Sequence, residues 1–311
     1  MCASKENFQF PMNIDIVLRG DIRNFLPHTI KNFMRMVVDP FKENGHNTRI
    51  FTTMWYDEGD DSVQREIIGL LKPTDHKLLN KTKYYNHIGY TQWDVFLMGM
   101  DMVEQTQSED YQTDITLFLR FDILWKQPII NWVKLDDPSW DVMVPWKEYE
   151  NWWLHHNRVS DVFHIIRNKE GNFDKFREAL HSKSEFNVIY RVLYQLDVPN
   201  FLTNWDESYK KLSLESGTHE VFQVGSDNFY GYWMAYKGHH LYKPMVRCGL
   251  NVTFSDEGFY DSNTYHTRST KMTPTINKNP IYILVYPDVE NCLYYHDDVK
   301  VSELIEYDVQ W

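Results

Sequence analysis

Residues Thr113 to Pro128 read TDITLFLRFDILWKQP, in which a strongly apolar run ends in Arg120-Phe121-Asp122. An apolar run of this length, bounded by polar residues, predicts a buried strand. A cation and a carboxylate at the end of such a strand are costly unless they are paired or solvated. Two readings stay open. One is an ordinary ion pair closing a core strand; the other is a polar mouth at the carboxyl end of a strand, where open α/β sheets gather their ligands.

Upstream, Gln92 to Glu104 places Trp93, Phe96, Leu97, Met100 and Val103 on one face at helical spacing, so a helix feeds directly into the strand. Before it, Asn13 to Leu18 (NIDIVL) reads as a strand that runs into Arg19-Gly20-Asp21. Ile30, Phe33, Met34, Val37 and Phe41 then repeat helically, with Pro27 near the start, a kink expected at Pro40, and Asn44-Gly45 as the stop. Thr48 to Trp55 predicts a second strand and Asp61 to Leu71 a short helix. Downstream come an acidic turn at Leu135 to Asp141, a short run Val142-Met143-Val144, an aromatic loop from Pro145 to Arg158, a strand from Asp161 to Ile166, and a helix from Asn172 to about His181. The later chain is less regular, with a helical pattern at Trp205 to Leu214 and a buried strand at Ile281 to Tyr286. Strands alternating with helices predict an α/β fold: a mainly parallel, mixed central sheet flanked by helices.

Composition narrows the class. The chain has 311 residues, 42% hydrophobic and 16% aromatic, enough to bury a large core, and no repeat or low-complexity linker divides it. Its formal charge is -12, from 44 acidic against 32 basic residues, which argues against a nucleic-acid partner because a polyanion needs a basic face. The amino terminus lacks a basic segment followed by a sustained apolar one, and no apolar run is long enough to span a bilayer. A soluble, cytoplasmic protein is the expectation. Cys2, Cys248 and Cys292 are widely spaced, which suits a reducing compartment and suggests neither a disulfide framework nor a zinc site.

The order IDIVLRGDIRNF, helix, TRIFTTMWYD, helix, DITLFLRFDILWKQPI, VMVPW, VSDVFHIIR, helix resembles the nucleotide-sugar-dependent glycosyltransferases of the GT-A type. The likeness is to enzymes of bacterial polysaccharide clusters and large DNA viruses, and it covers roughly the first 180 residues. It implies one GT-A-like domain over 1–311, with a nucleotide-binding half (1–125) and an acceptor-side half (126–311). It also implies a nucleotide-diphosphate-sugar donor and a glycan or glycoprotein acceptor.

In such enzymes the loop after the first strand holds the nucleotide. That role falls here on Arg19, Gly20, Asp21 and Arg23: glycine lets the backbone approach a ligand, and arginines meet phosphate oxygens with forked hydrogen bonds. The family's metal signature, Asp-x-Asp, is matched by Arg120-Phe121-Asp122, which keeps one carboxylate and replaces the other with a cation. Asp122 is then the expected ligand of Mn²⁺ or Mg²⁺, and Arg120 the expected partner of the phosphate or sugar. The departure puts strict metal dependence in question, since a cation beside the diphosphate supplies part of the same electrostatic help. Asp57, Asp60 and Asp61 read as a solvated turn or helix cap.

Asp161 is the expected general base toward an acceptor hydroxyl, with a strand or helix cap as its alternative. Trp146, Trp152 and Trp153 are candidate sugar-stacking residues, at least one of them core, and Asp227 in Gly225-Ser226-Asp227-Asn228 is an acceptor-side candidate. His219, His240 and His266 are residues that could reach a metal late in the chain. The absence of GxxxxGK[ST], GxSxG and a Cys/His nucleophile pattern argues against P-loop kinases and against serine or cysteine hydrolases. Two other classes remain: a carbohydrate-binding protein that kept this fold and lost catalysis, and a glycoside hydrolase, which the lack of paired glutamates disfavours.

Overall fold

The computed structural model describes residues 11–21, 27–56, 61–80, 92–148, 157, 159–160, 162–169, 171–181, 241–260 and 281–284. Strand β1 (Asn13–Asp21) is an interior strand, third from one edge, of a seven-stranded sheet. It pairs in parallel with β2 (Asn47–Tyr56) on one side and β4 (Ile115–Arg120) on the other, and β2 pairs in parallel with β3 (Asp75–Asn80). Beyond β4 comes β8 (His164–Arg167), antiparallel to both β4 and β6 (Val142–Val144), and then β9 (Val252–Phe254), parallel to β6. The order β3-β2-β1-β4-β8-β6-β9 is the expected mainly parallel sheet with one strand reversed. Outside it, the short strands β7 (Lys147–Glu148) and β10 (Phe259–Tyr260) pair in parallel.

Alternation along the strands sorts the core into two layers. Ile14, Ile16 and Leu18 of β1, Ile50 and Met54 of β2, and Ile115, Leu117 and Leu119 of β4 face one apolar cluster. Helix α1 (Pro27–Phe33), the segment behind it and α3 (Asp61–Leu71) cover that face. Val17, Phe51 and Phe118 face the other cluster, beneath α4 (Gln92–Gln105), α5 (Asn172–His181) and α6 (Tyr242–Arg247). A residue with a side chain cannot sit at Gly99 without conflict, because its Cβ would lie 2.6 Å from Val17 Cγ1. That glycine sets how closely α4 approaches β1.

The kink expected at Pro40 is displaced upstream. Met34–Val38 forms a π-helical turn in which the Asp39 N–H donates to the Met34 carbonyl, and α2 (Asp39–Glu43) starts afresh with Pro40 in its first turn, where a missing N–H costs nothing. The stop at Asn44-Gly45 is a Schellman motif. Gly45 takes φ +82°, its N–H donates to the Lys42 carbonyl and the His46 N–H to that of Phe41.

Two expectations need correcting. The first strand does not end at Leu18 but continues through Arg19-Gly20-Asp21, so those residues belong to a paired strand end and not to a loop. The opening also contains β3, whose Asp75-His76-Lys77 start lacks apolar periodicity. The strand within Thr113 to Pro128 stops where expected, at Arg120. The chain turns at Phe121-Asp122 and leaves the sheet as β5 (Ile123–Trp125), which pairs antiparallel with β11 (Tyr282–Leu284). On the other side of β5, the Asn32 side-chain amide stands in for a strand: its Nδ2 donates to the Trp125 carbonyl at 3.0 Å, and its Oδ1 accepts the Trp125 N–H at 2.6 Å.

At the amino end of the strands, Asp15 is fully buried and receives the Arg49 fork, Nε at 2.8 Å and Nη2 at 2.7 Å, plus the Thr113 hydroxyl at 2.5 Å. The Arg49 guanidinium lies 3.8 Å from the Tyr111 ring centroid. Burial, reinforced by Asp15, pushes the Tyr111 phenol well up. Among the described residues, no helix is long and apolar enough to cross a membrane.

Candidate functional site

The carboxyl ends of β1, β2 and β4 lie along one edge, and the reversed strand brings more chain to it. Phe118 pairs with His164 and Ile115 with Arg167, so the chain enters β8 at the edge where β4 leaves. β6 and β9 run opposite to β8 and end there too, delivering Pro145-Trp146 and Ser255-Asp256. Such an edge is where an open α/β sheet holds its ligands.

Register brings Arg19 and Arg120 together. They are Cα partners on adjacent parallel strands, and Arg19 is also the partner of Thr53, which in turn faces Lys77. In-register residues of neighbouring parallel strands share a face, so this polar row continues the α4 face above Val17, Phe51 and Phe118. The Arg19 guanidinium sits 4.7 Å from the Phe96 ring centroid. Thr53 is marked by no motif and is found only by aligning strand ends. Its hydroxyl is buried without a hydrogen-bond partner among the described residues.

Arg120 and Asp122, two residues apart across the turn, form a forked ion pair: Nε donates to Oδ1 at 2.8 Å and Nη2 to Oδ2 at 2.5 Å. The side chain of Arg120 is 14% exposed and that of Asp122 6%. The two residues are therefore an ion pair, and they stand at the carboxyl edge of the sheet. Arg19 beside them is 3% exposed, with its guanidinium over the Phe96 ring. Gly20 is different. At φ +120° a Cβ there would meet none of the described residues within 4 Å, so among them the backbone at the end of β1 is open to approach.

A divalent cation is held by several carboxylate, phosphate and water oxygens together. Asp122 does not fit that task as placed, because both of its oxygens accept from one guanidinium. Among the described residues, no group of three or more His, Cys, Asp or Glu side chains converges.

Trp146 is corrected as a sugar-stacking residue. At 2% exposure its ring belongs to the core layer under α1 and α3, where no sugar can reach it. Asp161 lies outside the described residues, although Ser160 and Val162 on either side are buried at the ligand edge. Arg23, Trp152, Trp153, Asp227, His219, His240 and His266 also lie outside them, as does the side chain of Asp21.

No family model and no curated protein matches the chain. Among solved structures it is similar to the galactosyltransferase LgtC in complex with donor and acceptor sugar analogs, at TM-score 0.37 and 12% identity over 82% of this chain and 78% of that one. A second is a mutant of Drosophila β1,4-galactosyltransferase 7 with manganese, UDP-Gal and xylobiose, at TM-score 0.37 and 9% identity over 96% and 82%. A third is a glycosyltransferase involved in glycosylation of the major capsid of PBCV-1, at TM-score 0.32 and 11% identity over 72% and 98%. Likenesses of this size say nothing of this chain's own activity.

Proposed function

We propose that this chain is a glycosyltransferase that takes a sugar from a nucleotide-diphosphate donor and passes it to a hydroxyl of a glycan acceptor. The observation that carries the reading is the register of Arg19 with Arg120 at the carboxyl edge of the sheet, beside the open backbone at Gly20. A diphosphate needs fixed positive charge and a backbone it can approach, and both are present at the place where α/β sheets bind ligands. The sequence resemblance to GT-A enzymes supplies the reaction class.

In this reading Arg120, the more exposed of the two arginines, meets the diphosphate, and Arg19 adds positive charge from beneath. The leaving nucleoside diphosphate develops negative charge as the sugar departs, and oriented guanidinium donors stabilise it without reorganising. Asp161 accepts the proton of the acceptor hydroxyl if configuration is inverted. The reading is tested by a thermal-shift screen against UDP-, GDP-, dTDP- and CMP-sugars, followed by assay of nucleotide release with glycan acceptors. One donor should raise the melting temperature, and Asp161→Asn should lower kcat by about 10²-fold with donor affinity little changed. No response to any donor would overturn the reading. Donor binding without release in the presence of acceptors would leave the catalytically silent carbohydrate-binding alternative.

A further inference from the structure

We propose that Asn32 is a positioning residue for the donor: by gripping the backbone of Trp125 it ties the chain that follows β4 to the helix that follows β1, and so holds the carboxyl edge of the sheet in one geometry. The inference rests on the nucleotide-sugar reading above and adds to it a neutral residue that does not touch the ligand.

Three segments that bound this edge converge on Trp125. It closes β5, the strand that carries the chain away from the turn at Asp122. Its ring lies 5.8 Å from that of Phe163, which precedes the entry of β8 at the same edge, and stacks on Trp132 at 5.6 Å and 14°. Its backbone is held from α1, which begins at Pro27 after β1 has ended at Asp21. A primary amide carries a donor and an acceptor side by side in one plane, so Asn32 satisfies the N–H and C=O of one residue as a neighbouring strand would. Both partners are buried, Asn32 at 5% and Trp125 at 1% exposure, so neither backbone group can turn to water if the amide is lost. Among the described residues, β5 would then be held along one flank only, by β11, and the turn at Asp122 would lose its fixed distance from the end of β1. A displacement of about 1 Å in a bound substrate, caused far from the chemistry, can cost about 10²-fold in rate.

The experiment is calorimetric titration of the full chain with UDP-, GDP-, dTDP- and CMP-sugars, for the native protein, Asn32→Leu and Asn32→Asp, at a temperature where circular dichroism shows each fully folded. Lost stability alone does not move the Kd of a fully folded population. Asn32→Leu keeps the volume and loses both hydrogen bonds, and it should weaken binding of the donor that the native chain takes by at least about tenfold. Asn32→Asp keeps the shape and adds a readout that packing alone would not move. Its ionised carboxylate repels the Trp125 carbonyl, whereas its protonated form donates to that carbonyl and accepts the Trp125 N–H as the amide does. Burial raises the pKa of such a carboxyl, so the deficit of this variant relative to the native chain should shrink as pH falls from about 8 to about 5. That pH dependence also carries the test if Asn32→Leu does not fold. Donor affinity within about twofold of native in both variants, or an Asn32→Asp deficit that does not change with pH, refutes the positioning role and leaves the transferase reading standing. A native chain that binds no donor overturns both.

Discussion

Replacing Arg49 by methionine removes the guanidinium that satisfies both oxygens of Asp15, and Asp15 has no exposure with which to recover water. Breaking one side of a buried pair costs about 3–5 kcal/mol, because the remaining charge stays desolvated. The Thr113 hydroxyl at 2.5 Å and the Tyr111 hydroxyl at 3.3 Å still reach the carboxylate, so the lower end, about 3 kcal/mol, is expected. Adding Asp15→Leu removes the orphaned charge, and the double variant should regain most of that loss, since apolar replacement of a whole buried pair is often near neutral. Chemical denaturation gives the measurement: the midpoint should fall for Arg49→Met with the slope unchanged, and recover in the double variant. Arg49 lies near the start of β2 and Arg19 near the end of β1, so nucleotide affinity in the folded single variant should not change. A loss under about 1 kcal/mol, or a double variant as unstable as the single, would show that the network does not hold the amino end of the sheet.

Gly99→Ala places a methyl 2.6 Å from the stiff Val17 side chain, so overpacking of about 1–3 kcal/mol should outweigh the gain of up to about 1 kcal/mol in helix propensity. A denaturant melt showing equal or greater stability would refute that approach of α4 to β1. Burial lowers the His46 imidazole below its ordinary 6.5, and its Nδ1 accepts the Met12 N–H at 3.1 Å, so the folded state holds it neutral. The unfolded chain therefore binds the extra proton first. Stability from this group is present above about pH 6.5 and falls as pH drops below it, so His46→Gln should flatten the melting-temperature profile between about pH 7 and about pH 5.

The helices and central strands are legible because their patterns are local. Asp61–Leu71 and Asn172–His181 carry helical periodicity within one segment, and Val142–Val144 is a short apolar run bounded by turns. β3 is not legible, because an edge strand starting Asp-His-Lys is recruited by the backbone of β2 and not by its own side chains. The pairing of Arg19 with Arg120 is likewise a product of register between strands roughly a hundred residues apart. The motif Arg120-Phe121-Asp122 marks a site by its cost, yet only coordinates reveal that the two charges spend themselves on each other. Trp146 illustrates the converse: the second residue of an aromatic loop in sequence is a core position, and local pattern does not say which of the three tryptophans is the buried one.

The clamp on β5 bears on the order in which the chain is made. Residues up to Arg120 are sufficient to set β1 to β4 side by side as they leave the ribosome, and Asn32 is already waiting for Trp125. The other flank of β5, Tyr282–Leu284, emerges more than half a chain length later. A domain built from its amino end thus has Asn32 in place beside β5 before Tyr282–Leu284 has been made. The Arg120–Asp122 fork, formed between residues two apart, does not depend on that late strand.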